Sequence, residues 1–484
     1  MSPRLPRPVS HFVARQRARQ QRLRRLEQDE ATLLDRLHGT EYEGLVPPRP
    51  RTVDRSEAQR MLRFALRLSR QLFQAGAETR AIESAVIAVT ASWGLDHLEV
   101  DITARSIQVQ YAPPDTPPLV MMLVTGSEDS RDLQRLSALH ALVRRVVVDG
   151  VQLPTAEDEL SRITGAGSVW PWWTTVIGGA VLAAMLCLLA SGTVTATLLA
   201  PAVLVVQNRV GWFLSRTGLP SFYVTAVQTA VVVTLSMLLI RVDVLDGAEA
   251  ASLAAGNMVL LLPILSVVSL AEDAISGFRT MAAARVISVG MFLAAMVSGV
   301  VIVSALLLDT DNDVRNTAFR GLPLALTLVT AAVGALGNAV FMGGAARLLP
   351  YAVAAGVLGG LANQGAHRVL ELPTPMAILI AATFLGLFGG ALSPYARFPA
   401  RAMIVPGIAG ALLPGPDVYR SLLQYSLGVP GAGGYAVSAL VSTAAIGAGT
   451  VLGRTLGAGA QRQWRRGAPQ VALGPANDPS PQRA

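Results

Sequence analysis

The chain has 484 residues, 52% of them hydrophobic and only 15% charged, with a formal net charge of +8 carried entirely by arginine on the basic side. That composition, with a mean hydropathy of +0.46, lies outside the range of ordinary soluble domains and reads as a membrane protein.

The apolar excess is uneven. Residues 1–165 are mixed and charged, 170–460 are apolar with charges in small clusters, and 461–484 are polar and rich in Pro, Arg and Gln. The expected division is a basic, largely disordered tail (1–53), a soluble α+β domain (54–165), two five-helix membrane halves (170–308 and 320–455) and a disordered C-terminal tail (461–484). The run RQRARQQRLRR at 15–25 marks the cytoplasmic side and suits anionic lipid better than nucleic acid, so no nucleic-acid partner is expected. The first 30 residues hold no apolar h-region, which predicts no cleaved signal peptide. Cys187 is alone, which excludes an intramolecular disulfide and a cysteine metal cluster. No metal and no other cofactor is expected.

In chain order, residues 54–75 place Leu62, Ala65, Leu66, Leu72 and Phe73 on one helical face and Arg60, Arg63, Arg67 and Arg70 on the other. A second helix is expected from Thr79 to Trp93, stopped by Gly94. The period then changes, and LEVDIT (98–103), SIQVQYA (106–112) and PLVMMLVT (118–125) read as strands with APPDTPP as a turn region. Leu133 to Val146 returns to helical spacing, and TAEDELSRI opens a last short helix with a Thr/Asp cap. Between the first two helices, GAETRAIE holds Gly76, Glu78, Thr79, Arg80 and Glu83. With His140 these could be imagined as an acid/base set, but helix-start chemistry already explains Glu78 and Thr79.

A helix needs roughly 20 apolar residues to cross a bilayer. Ten candidates follow, at 172–190, 193–208, 221–240, 254–270, 286–308, 321–341, 348–366, 375–393, 402–413 and 434–453. With the soluble domain in the cytoplasm, inner connections carry Arg209, Arg216, Arg279, Arg285, Arg347, Arg397, Arg401 and Arg454, and outer ones Arg241, Arg315, Arg320, Arg368 and Arg420. The bias has the positive-inside sign and puts both termini in the cytoplasm. The ninth candidate has too few apolar residues for an unbroken crossing and must be extended, broken or re-entrant.

Five spans per half means that a second copy would be inverted relative to the first. Span four with its exit reads NMVLLLPILSVVSLAEDAISG, and span nine reads RAMIVPGIAGALLPGPDVYRS. Pro263 precedes Asp273 by ten residues and Pro406 precedes Asp417 by eleven, while Pro414, Gly415 and Pro416 are expected to end the second helix. Interrupted spans at corresponding places point to a transport site. Asp273 and Asp417 are therefore proton-coupling candidates or, on the other reading, helix caps at the two surfaces. Pro263, Pro406, Pro414, Gly415, Arg279 and Arg285 complete the candidate pathway, and the two arginines also fit as inner-surface anchors. The in-span amides Gln228, Asn257, Asn338, Asn363 and Gln364 suit interhelical hydrogen bonds first.

On the stretches AGAETRAIESAVIAVTASWGLD (75–96) and RLSALHALVRRVVVDGVQLPTAEDELSRI (135–163), with the two Pro-to-Asp stretches, the chain resembles the threonine/serine exporter family over roughly 55–460. The matched positions are Gly76, Ala77, Glu78, Glu83, Gly94, Asp273, Gly277, Arg285, Pro414, Gly415 and Asp417. The resemblance implies an α-helical polytopic membrane protein, a small α+β cytoplasmic domain followed by ten transmembrane helices as two inverted five-helix repeats. It implies multi-pass residence in the cytoplasmic membrane and proton-driven export of threonine and serine, with protons, a small-molecule substrate and the lipid bilayer as partners. Homo-oligomerisation stays open. Split-chain relatives imply dicarboxylates such as succinate as an alternative substrate, and a membrane-anchored hydrolase acting through the N-terminal domain is the alternative from another class.

Overall fold

A computed structural model describes residues 37, 40–46, 53–95, 98–112, 117–125, 132–190, 192–307, 322–426 and 432–467. The basic run at 15–25, the middle of the APPDTPP turn, Arg315, Arg320 and the C-terminal tail beyond 467 lie outside these residues.

The N-terminal part is an α/β unit. Helix α1 (Arg55–Gln74) and α2 (Thr79–Ser92) precede strands β1 (Leu98–Ile102), β2 (Ser106–Tyr111) and β3 (Leu119–Val124), followed by α3 (Leu133–Asp149) and α4 (Leu153–Gly165). The strands form one antiparallel sheet in the order β1-β2-β3, with Val100 opposite Val109 and Val109 opposite Met121. Alternation does the sorting: Ile107 and Val109 are buried, while Val120, Met122 and Val124 face outward. Leu62, Phe64, Leu68, Ile82, Leu139 and Leu142 are fully buried between the helices and the sheet.

The structure departs from expectation here in three places. Leu37 and Tyr42 pack into this core, so folded structure begins upstream of residue 54. Helix α4 starts at Leu153 with Pro154 in its first turn and no side-chain cap; proline's fixed φ suits a first turn, so Thr155 sits inside the helix rather than capping it. Phe278 and Met281, from the membrane part, also pack into the unit's core.

The rest is helical: α5 (Trp172–Leu189), α6 (Val194–Arg216), α7 (Ser221–Arg241), α8 (Gly247–Val259), α9 (Ile264–Ile275), α10 (Arg279–Leu307), α11 (Leu324–Phe341), α12 (Leu349–Arg368), α13 (Thr374–Ala396), α14 (Ala400–Ala411), α15 (Gly415–Ser426) and α16 (Ala432–Gly467). Among the described residues, seven of these helices, α5, α6, α7, α10, α11, α13 and α16, are long and apolar enough to cross a membrane. Their outward surfaces are apolar as a bilayer requires: Leu198, Ile287, Leu306, Val329 and Leu440 are exposed. Trp172 and Trp212 are exposed where α5 begins and α6 ends, with Arg209 4.9 Å from the Trp172 ring and Arg216 3.8 Å from the Trp212 ring. Amphipathic indoles beside guanidinium groups are what a membrane–water boundary collects.

The fourth expected span (254–270) is divided between two short helices, and the ninth (402–413) is one short helix that stops before a second. A break at Leu260–Pro263 separates α8 from α9, and one at Leu412–Pro414 separates α14 from α15. Pro263 stands at the N-cap of α9, whereas Pro406 lies inside α14, buried, without ending it. The breaks thus fall at Pro263 and at Pro414, and Pro406 interrupts no helix. Pro406 does not end α14, because proline within a packed membrane helix is tolerated when neighbouring groups surround its freed carbonyl.

Candidate functional site

Two short turns aim charged side chains at one place. At the end of α1, Gly76 adopts φ +80°, and the amides of Gly76 and Ala77 close onto the carbonyls of Phe73 and Leu72. This left-handed stop reverses the chain and presents Glu78 and Thr79 at the start of α2. At the end of α9, Gly277 takes φ +91° and the Phe278 amide closes onto the Asp273 carbonyl, turning the chain into α10.

Between these turns lies a cluster of buried charges drawn from α9, α10, α14, α16 and the α/β unit. Arg454 of α16 grips Glu78 with both terminal nitrogens, Nη1 to Oε1 at 2.6 Å and Nη2 to Oε2 at 2.7 Å. The same Nη2 lies 3.6 Å from Oε1 of Glu272 on α9. Arg401, at the start of α14, donates to Oε2 of Glu272, to Ser269 Oγ at 2.6 Å and to the Leu265 carbonyl at 2.9 Å. Arg285 of α10 donates from Nε to Oδ2 of Asp273 at 2.9 Å, and Thr79 adjoins that carboxylate. Glu272 and Asp273 are 2% and 1% exposed, and Arg285 and Arg401 8% and 4%. At these values each charge needs a partner, since a lone buried ion costs several kcal/mol. Three guanidinium groups face three carboxylates, and both sequence-distant halves of the membrane part contribute.

Glu78 occupies the N-cap position of α2 but makes no cap hydrogen bond; its carboxylate goes to Arg454 instead. Burial raises the carboxyl's pKa, but the Arg454 charge and its paired hydrogen bonds outweigh that and hold it at about 2, against an ordinary 4.5. The sign follows: a depressed folded-state value contributes stability that is present above pH 4.5 and is lost as pH falls through about 2. The apparent melting temperature of the purified full-length protein in detergent is therefore expected to fall below pH 4.5, and Glu78→Gln should lose that share of the acid dependence. A variant with an unchanged acid limb would show that the pair adds nothing to stability.

Of the sequence candidates, Gly76, Glu78, Thr79, Asp273 and Arg285 come together here. Arg80 and Arg279 do not; both side chains are exposed. Glu83 lies one turn further along α2, half-buried. His140 contacts Glu41 at 3.1 Å, so the partners of His140 and Glu78 are Glu41 and Arg454 and not each other. Sequence reading missed Glu272, Arg401 and Arg454 as site residues. Their signal was present: each is a charge at or inside an apolar helix, and such a charge demands a partner.

The second assembly is at the helix breaks. Gly415, first residue of α15, lies against Val259, last residue of α8, so closely that a Cβ would stand 2.4 Å from Val259 Cγ2. Asn257, 0% exposed, donates to the Leu253 carbonyl at 3.0 Å while its Oδ1 accepts no hydrogen bond. Asp417 lies in the first turn of α15, three residues past Pro414, and accepts from Ser438 of α16 at 2.8 Å. Asp273 is in the last turn of α9, far from the helix start where a carboxylate caps amides. The two aspartates thus occupy unlike positions, one at a break and one at a helix exit, and not the matching places that their spacing suggested. Pro263, Pro414 and Gly415 flank the breaks, and Pro406 lies within α14.

The ThrE family model, described as "Putative threonine/serine exporter", matches residues 63–307, just over half of the chain. The chain belongs to the threonine/serine exporter family. It is similar to a "Probable threonine/serine exporter" of Mycobacterium tuberculosis, 27% identical over 421 residues that cover 84% of this chain and 78% of the relative. It is also similar to a "Threonine/serine exporter" of Corynebacterium glutamicum, 24% identical over 388 residues, 78% of each. No solved structure matches it. The family model takes in α2, both turns and the α9–α10 carboxylates, so membership in the exporter family covers Glu78, Glu272, Asp273 and Arg285, while Arg401 and Arg454 lie beyond it.

Proposed function

We propose that this multi-pass membrane protein exports threonine, serine and similar small polar amino acids across the cytoplasmic membrane in exchange for protons. The observation that carries the reading is the pair of interrupted helices, α8/α9 and α14/α15, meeting at Gly415 and Val259. At each break one helix ends and the next begins within a few residues, and interrupted helices of this kind are where transporters place the sites for small charged molecules. Five helical elements on either side of the 308–321 connection support ten crossings in two inverted sets, α8/α9 and α14/α15 each forming one broken crossing. The division at 1–53, 54–165, 170–308, 320–455 and 461–484, with both termini cytoplasmic, is part of the same proposal, amended by the packing of Leu37 and Tyr42.

Asp417 is the favoured proton carrier. It stands at a break, in the first turn of α15, where it accepts a hydrogen bond from Ser438 of α16. Asp273, held by Arg285, is the candidate at the cytoplasmic exit. In cells loaded with a threonine dipeptide, Asp417→Asn is expected to abolish efflux that a proton uncoupler inhibits, with the protein still in the membrane. Asp273→Asn should slow it. Normal efflux in both variants would remove the coupling role, and preferential efflux of succinate would move the substrate to dicarboxylates.

A further inference from the structure

The buried cluster holds more than is needed to fasten the α/β unit to the membrane helices. Among the six charged side chains two polar atoms still make no hydrogen bond: Glu272 Oε1, an acceptor, and Arg401 Nε, a donor. Both belong to side chains more than nine-tenths buried, and Glu272 Oε1 faces the guanidinium that Glu78 occupies, 3.6 Å from Arg454 Nη2. Leaving a buried polar atom unsatisfied is unfavourable, so an unpaired donor and an unpaired acceptor within one buried cluster mark a place built for something besides its present contents.

The contents themselves indicate what. Glu78 meets Arg454 as a two-pronged carboxylate on a guanidinium fork, the geometry in which a free carboxylate is recognised. Glu78 is the one carboxylate of the cluster that does not come from a membrane helix. Were α2 to withdraw, Arg454 would be left beside the membrane helices with only the more distant Glu272, and another carboxylate would have to take the fork.

We propose that this cluster is the cytoplasmic loading site for a small zwitterionic amino acid, and that Glu78 is its resident competitor, closing the site until the substrate's own carboxylate replaces it on Arg454. The substrate ammonium then meets Glu272 Oε1, and Arg401 Nε gains an acceptor. The site is assembled from α9, α10, α14 and α16, elements of both halves, so filling it acts on both. The inference rests on the amino-acid export reading above.

The test uses the full-length protein in lipid nanodiscs, with threonine and with threoninol, which lacks the carboxylate. Amide hydrogen exchange over residues 76–82 is expected to accelerate with threonine and to stay unchanged with threoninol. Glu78→Gln should bind radiolabelled threonine about ten-fold more tightly, corresponding to about 1.4 kcal/mol of competition removed. Threonine counterflow in proteoliposomes tests the export reading separately. Counterflow by the unaltered protein, with exchange at 76–82 indifferent to threonine or with equal affinity in Glu78→Gln, overturns the loading site and leaves export standing. Absence of counterflow removes both. The exchange arm needs no substitution and decides the matter even if the variant does not fold.

Discussion

Replacing Arg454 with alanine is expected to be among the most damaging single changes in the chain. The substitution leaves Glu78 and Glu272, both largely buried and both facing Arg454, as neighbouring carboxylates without the cation between them. Removing one partner from a buried pair costs about 3 kcal/mol or more, because the surviving charge stays desolvated. The loss should appear as a lowered yield of monodisperse full-length protein and a lowered melting temperature in detergent. Adding Glu78→Gln is expected to restore much of it, since the isosteric amide carries no charge. A double variant no better than Arg454→Ala would mean that the damage comes from lost packing of the long arginine stem and not from the ion pair.

Gly453→Leu is expected to disrupt the membrane part comparably. Helices α13 and α16 meet backbone to backbone along Gly386, Gly390, Gly449, Gly453 and Gly457, and a Cβ on Gly453 would lie 2.0 Å from the Thr383 carbonyl oxygen and 2.6 Å from the Leu387 nitrogen. Those atoms belong to a helix and cannot rotate aside, so the helices must separate. Overpacking of this kind costs about 3 kcal/mol, and it also shifts Arg454 on the next residue. Gly459→Ala on the same helix, where nothing lies within 4 Å of the new Cβ, serves as the control and should behave as wild type. Equal behaviour of the two variants in detergent melting would show that the α13–α16 contact is plastic.

How much of this could be read from the sequence follows from the range over which each residue acts. The strands near 98–102, 106–111 and 119–124 and helices α1 to α3 are local outcomes of alternation, period and glycine stops, and they fall where residue patterns put them. The break in span nine was visible as a shortage of apolar residues, and Pro414-Gly415-Pro416 sits at it. Pro406 misled because proline's local cost is visible in sequence while the packing that absorbs it is not. The charge cluster lay further out of reach. Glu78 and Arg454 are separated by 376 positions, and nothing in one dimension says which of many arginines meets a given glutamate. The sequence did show Arg401, Arg454, Glu272 and Asp273 as charges bordering apolar helices, and the demand for partners could have been stated before the partners were known.

Phe278 and Met281, at the turn into α10, are built into the core of the N-terminal α/β unit together with residues of α1, α2 and the sheet. A fragment ending near residue 165 would therefore be cut through its own interior: the chain before the first membrane helix lacks side chains that arrive more than a hundred positions later. Co-translational folding inherits the same constraint, because the unit's core stays incomplete until synthesis has passed α10. Two polypeptides divided ahead of α5 would have to find each other before either was finished, whereas a division after α10 would keep the unit's apolar core and the Asp273–Arg285 pair on one chain.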